Sequence, residues 1–146
     1  MQTADYLTLL VDDIHSVVMA TVDAEGLPAT RVIDMMYQDG KTAYFLTANT
    51  KPFYKQLRDT PYVSVTGLTK GIDTMHRKMV SLTGEVRHIG KEKLDLLLET
   101  NPYMYDIYPT EESRQVLEVF IFTKARGEFY DLSVLPPRTD SFQIAI

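Results

Sequence analysis

The chain has 146 residues, 45% hydrophobic and 24% charged, enough for one good core and typical of soluble globular proteins. Its net charge is −5, with Lys and Arg scattered rather than clustered, so no nucleic-acid-binding face is expected. The absence of cysteine excludes disulfides, thiolate metal sites and cysteine nucleophiles, and no apolar run is long enough to span a bilayer.

No basic start leads into an apolar stretch and cleavage site, so a cytoplasmic protein is expected. His15, His76 and His88 show neither HxH nor HExxH spacing, and no metal centre is expected from them.

Thr3 can cap a first helix, whose Leu7, Leu10, Val11 and Ile14 recur at i, i+3, i+4 and i+7. From Ser16 the period changes. SVVMATVD reads as a strand, DAEG as a turn, and PATRVIDMMY as the returning strand. Asp39-Gly40 signals a hairpin into KTAYFLTA, so residues 16–47 are expected to form a three-strand antiparallel meander. Pro52 suits the first turn of a helix that buries Phe53 and Leu57.

YVSVTGL is the next strand, residues 69–74 a loop, and HRKMVSLTGEVRHI a long strand. KEKLDLLLET reads as a short helix, and YMYDIYPTEES as an aromatic crossover. VLEVFIFTKARGEFYDLS reads as two strands joined at Lys124–Gly127, with an extended tail, LPPRTDSFQIAI. Six or seven strands with two or three short helices predict a mainly β fold. It is an antiparallel barrel with peripheral helices over its open ends, one domain spanning residues 1–146.

The most informative stretch is KTAYFLTANTKPFYKQL, residues 41–57. A strand passing through small and hydroxyl residues into a helix N-terminus gathers free backbone N–H groups and positive dipole ends. Lys51 at that terminus gains nothing from the dipole, and with Lys55 one turn on, the pattern asks for an anion such as phosphate. Arg31, mid-strand in ATRVIDMMY, can look into the same mouth. There it would address a flat heteroaromatic ligand together with the backbone of Val32 and Ile33. The residues alone also allow Arg31 to pair with Asp34 or Glu85, or to stand in water. Met35, Met36, Met79 and the tyrosines can supply an apolar slot or simply core. Tyr103, Tyr105 and Tyr108 can line a substrate mouth or pack on the barrel.

Together, ATRVIDMMY, YFLTANTK with its following helix, RDTPYVSVTG, KMVSLTGEVRHI and LEVFIFTKARGEFYDLS resemble the pyridoxamine 5′-phosphate oxidase-like family of FMN-binding split barrels, in order and over nearly the whole chain. The resemblance implies a Greek-key split barrel and a homodimer with FMN at the subunit interface. It implies that Arg31, Val32 and Ile33 lie along the isoalloxazine and ribityl part, and that Thr47, Asn49, Thr50 and Lys51 hold the phosphate. Lys78 matches a basic position near the cofactor, and Lys55 is a second candidate. The full oxidases carry an Arg-Lys pair where this chain has Lys51 and Pro52, a glutamine where Met79 stands, and a C-terminal tryptophan-containing segment. The likeness is closer to short bacterial members, of nitroimidazole-resistance and stress-protein type, than to vitamin B6 oxidases.

An FMN-dependent oxidoreductase is the expected function, exchanging hydride or electrons with a reduced nicotinamide, NADH or NADPH, or a small-molecule substrate. The flavin carries the hard chemistry, and the sequence marks no catalytic residue. A non-enzymatic flavin carrier or redox sensor, and a haem- or deazaflavin-binding barrel, are the alternatives.

Overall fold

The structure, a computed structural model, describes all 146 residues, Met1–Ile146. Helix α1, Thr3–Thr8, runs on into a π-helical segment, Leu9–Ile14, and the expected apolar stripe Leu7, Leu10, Val11 and Ile14 is buried. The cap is Gln2 rather than Thr3, because the Asp5 carboxylate accepts the Gln2 backbone N–H at 2.7 Å. His15 ends the segment at φ 58° and ψ −63°, a backbone conformation that costs energy in a non-glycine residue. Its N–H donates to the Leu10 carbonyl at 2.9 Å, and its own carbonyl accepts the Met35 N–H at 2.7 Å.

Strands β1, Ser16–Val22, and β2, Pro28–Asp34, form the expected hairpin. Gly26 takes φ +81° in the turn, where Asp23 Oδ1 accepts the N–H groups of Glu25 and Leu27. The expected meander ends there. Strand β4, Ala43–Ala48, pairs with the two-residue β3, Tyr37–Gln38, and with β7, Leu117–Asp131, not with β2. A strand is placed by whichever edge buries it best. All six residues of β4 are buried: Ala43 and Phe45 in the main core, Tyr44 and Leu46 in a second cluster. Pairing with β7 sets Tyr44 and Leu46 beside Ile121 and Val119 in that second cluster, to which β2 contributes no residue.

Helix α2, Pro52–Asp59, is followed by β5, Tyr62–Leu68, then β6, Lys78–Gly90, and helices α3, Leu94–Thr100, and α4, Met104–Ile107. Residues 117–131 form one continuous strand, not two. Its register slips at Thr123, which bulges between the pairs Glu85–Lys124 and Val86–Phe122. Gly127 is not a turn glycine. A Cβ there would lie 2.1 Å from the Phe142 ring, so its hydrogen admits that ring from β8, Arg138–Ala145, the strand formed by the tail.

The sheet order is β2-β1-β5-β6-β7-β4-β3, with β8 also on β7, eight strands in all. Strands β5, β6 and β7 follow one another and β4 lies beside β7, the order of a Greek key. The sheet curls until its β2 edge and the C-terminal end of β4 face each other across a gap. The main core of 23 buried residues fills the concave side, and α3 and Met104 cover the outer face of β4 and β7. No helix is long and apolar enough to cross a membrane.

Candidate functional site

The gap between the two sheet ends is a cleft of about 620 Å³, within the ordinary range for cofactor sites. Strand β2 contributes Arg31, Val32, Ile33 and Asp34 to its wall, and the end of β4 contributes Leu46, Thr47 and Ala48. Helix α2 adds Lys51, Pro52 and Phe53. Arg31 and the Lys51 corner therefore do meet, but across the gap rather than as neighbours in a meander.

Arg31 is half-buried with no acid beside it. None of the seven ion pairs includes it, so neither Asp34 nor Glu85 takes its charge. Its Nη1 donates to Thr21 Oγ1 at 2.7 Å and, at longer range, to the carbonyls of Met19 and Ala29. Its Nη2 donates to Gln56 Oε1 at 2.8 Å, and the guanidinium lies over the Phe53 ring, 4.4 Å from the centroid. Burial lowers its basicity somewhat, yet a guanidinium remains charged. Lys51, at the N-cap of α2, is exposed and also unpaired. Two cations and a helix N-terminus thus face one cleft with no carboxylate compensating them.

Asp34, the one carboxylate on the wall, is already occupied. It accepts the Ser16 hydroxyl and the Tyr103 phenol, both at 2.6 Å, and His15 Nε2 lies 3.4 Å away. Burial first, then the hydrogen bond and charge of Asp34, push the Tyr103 phenol well above its usual range. The opposite wall is apolar: Met36, Leu46, Met104, Ile107, Tyr108 and Leu117.

Of the residues singled out in the sequence, Arg31, Val32, Ile33, Thr47 and Lys51 line this cleft, while Asn49 and Thr50 are exposed on the adjoining loop. Lys55 faces another depression and pairs with Asp59 at 2.5 Å. Lys78 pairs in register with Asp131 at the far end of β6 and β7. Among the methionines, Met36 lines the cleft, Met35 is wholly in the core, and Met79 faces a separate depression beside Tyr130. Tyr108 lines the cleft, Tyr103 holds Asp34, and Tyr105 lies under Arg114. Sequence reasoning missed Thr21, Gln56, Met104 and Ile107. Gln56 had a usable signal, since three residues after Phe53 it falls on the same helix face.

A family model for pyridoxamine 5′-phosphate oxidase matches residues 5–129. The chain belongs to the pyridoxamine 5′-phosphate oxidase family. No curated protein sequence matches it. Solved structures share its fold across the whole family domain. A NimC/NimA family protein from Clostridium acetobutylicum superposes with a TM-score of 0.80 at 22% identity, over 97% of this chain and 92% of that one. A haem-binding protein from Mycobacterium smegmatis gives 0.74 at 14%, over 97% of this chain and 58% of that one. A pyridoxamine 5′-phosphate oxidase-related, FMN-binding protein from Nostoc punctiforme gives 0.63 at 12%, over 98% and 94%. The antiparallel split barrel is therefore the family's fold.

Proposed function

We propose that this chain is a single-domain FMN-binding flavoprotein, homodimeric and cytoplasmic. It works as an oxidoreductase between a reduced nicotinamide or small-molecule donor and an acceptor. The observation that carries the reading is the pair of uncompensated cations, Arg31 and Lys51, at one end of a cleft whose other wall is apolar. A phosphate dianion on a flat heteroaromatic body has that same polarity.

Lys51, the Thr47–Thr50 loop and the α2 N-terminus would hold the phosphate, with Arg31 reaching it or the polar edge of the ring. Val32 and Ile33 offer backbone to the ring, and Met36, Leu46 and Met104 exclude water from its face. When bound, the flavin supplies hydride and electron chemistry. Val32, on the cleft wall, is 69% exposed, which fits closure by a second copy. Lys78, at the far end of β6 and β7, would act only from that partner or not at all, and Lys55, off the cleft wall, would have to leave Asp59 to take part.

A protein purified yellow, releasing FMN on denaturation and bleached by NADH or NADPH at a catalytic rate, is the expected result. A colourless protein that takes up no added FMN overturns the reading. Flavin that no donor reduces would leave a carrier or redox sensor. The haem-binding relative supports a second reading, a porphyrin against the apolar wall, which offers Met36, Met104 and Tyr108 as ligand types but no histidine. A Soret band on adding haem, without flavin uptake, would select it; deazaflavin uptake in place of FMN would select the remaining alternative.

A further inference from the structure

Arg31 is held with unusual completeness for a cation that has no acid. Thr21 Oγ1 and Gln56 Oε1 sit together on its Nη1–Nη2 edge, and the Thr21 hydroxyl itself donates to Gln56 Oε1 at 2.5 Å. Thr21 is buried, opposite Ala29 in the β1–β2 ladder, and Gln56 is half-buried on α2. The guanidinium has five N–H donors in a fixed fork. Those on Nη1 and one on Nη2 are used within the chain, whereas Nε has no partner. No buried side-chain nitrogen or oxygen lacks a partner, so Nε is accessible, and Arg31 is on the cleft wall. The edge left over, Nε–H with the second Nη2–H, is the one that grips an oxyanion in bidentate fashion.

A carboxylate at position 56 would hold Arg31 just as firmly and would also neutralise it. A neutral amide there fixes the side chain and leaves the charge for something else. Resting on the flavin-site reading, we infer that Gln56, with Thr21 behind it, is a positioning residue that keeps Arg31 aimed and uncompensated, so that the cleft selects a phosphate monoester over its uncharged counterpart. Helix α2 then serves the anion corner through three residues, with Lys51 at its cap, Phe53 beneath the guanidinium and Gln56 at its edge.

The test compares the full chain with Gln56→Glu and Gln56→Met. Equilibrium titrations with FMN and with riboflavin, which lacks the phosphate, are run alongside thermal melts. In Gln56→Glu, FMN affinity should fall by more than about tenfold, the loss expected for one charge-assisted contact, while riboflavin affinity stays within about twofold and Tm does not drop. Gln56→Met, which frees Arg31 without neutralising it, should lose only a few-fold for FMN. Independently of flavin, inorganic phosphate should shift the Arg31 Nε–H NMR resonance in wild type and shift it much less in Gln56→Glu. Wild-type FMN affinity in Gln56→Glu, or FMN and riboflavin affinities falling together with Tm, overturns the assignment, as does an Arg31 resonance indifferent to phosphate. A phosphate response that Gln56→Glu abolishes, in a protein that binds neither flavin, would retain the role of Gln56 and discard the flavin.

Discussion

Helix α2 leans on two charged corners that were built differently. On one side it meets Arg31, whose partners are two carbonyls, a hydroxyl and an amide. On the other its Tyr54 ring packs edge-on to His88, a partner of Glu118, the residue opposite Thr47 across β4 and β7. Glu118 is only 13% exposed; it takes Lys91 Nζ at 2.8 Å and His88 Nε2 at 3.1 Å. His88 in turn lies 3.2 Å from Arg58 Nη1, which donates to the Tyr54 hydroxyl at 2.8 Å. Burial alone would raise the Glu118 carboxyl, but the hydrogen bonds and charges of Lys91 and then His88 outweigh it and hold it below its ordinary range. In the second corner the chain itself supplies the counter-charge to the carboxylate. In the first no acid meets the half-buried guanidinium, and such an unmatched cation is tolerated where a ligand is to supply the anion.

The two corners should therefore fail in different assays. The largest effect is expected for Arg31→Ala: FMN binding should weaken about a hundredfold, roughly 3 kcal/mol, while riboflavin binding changes far less. Isothermal titration of both ligands checks it, and an equal loss for both would assign Arg31 to the ring instead of the phosphate.

Glu118→Gln should show the reverse pattern, losing about 1–2 kcal/mol of stability in urea melts with FMN affinity unchanged. The pH dependence follows in sign. With the folded carboxyl lowered from the usual 4.5, its contribution is complete above that value. It is lost as pH falls through the folded value, and the wild-type stability curve should converge on that of Glu118→Gln there. A gap between the two that widens on acidification would contradict the pairing.

What could be read in advance follows the same division between local and distant. The β1–β2 hairpin, the Gly40 turn at φ +84° and the buried face of α2, Phe53 and Leu57, rest on contacts within a few residues and were legible. The β4–β7 pairing joins Tyr44 to Ile121, and nothing near either strand announces it. Ala125-Arg126-Gly127 looks like a turn because a strand glycine has two uses, and the second depends on Phe142 arriving from β8. At the site, Lys51 was legible from the helix start it occupies. Gln56 showed only its helix face; its role comes from Arg31, on a strand 25 residues away in sequence. The cluster of His15, Asp34 and Tyr103 likewise draws on three separate segments.

The smallest effects discriminate most finely, because two lysines four residues apart on one helix should behave differently. Lys51 is unpaired on the cleft wall; Lys55 pairs with Asp59 with both side chains more than half exposed, at 74% and 56%. An exposed pair of that kind contributes about 0.3–0.5 kcal/mol at most, so Lys55→Ala should leave Tm and FMN affinity nearly unchanged. Lys51→Ala should weaken FMN about tenfold, with the difference from wild type shrinking as salt is raised, since the lysine is open to solvent and screened. Riboflavin provides the control: with no phosphate to meet, it should not distinguish the two variants. Should Lys55→Ala cost as much FMN affinity as Lys51→Ala, the second lysine leaves Asp59 for the cofactor, within its own chain or across a dimer. The anion site would then extend a full turn along α2 beyond its N-terminus.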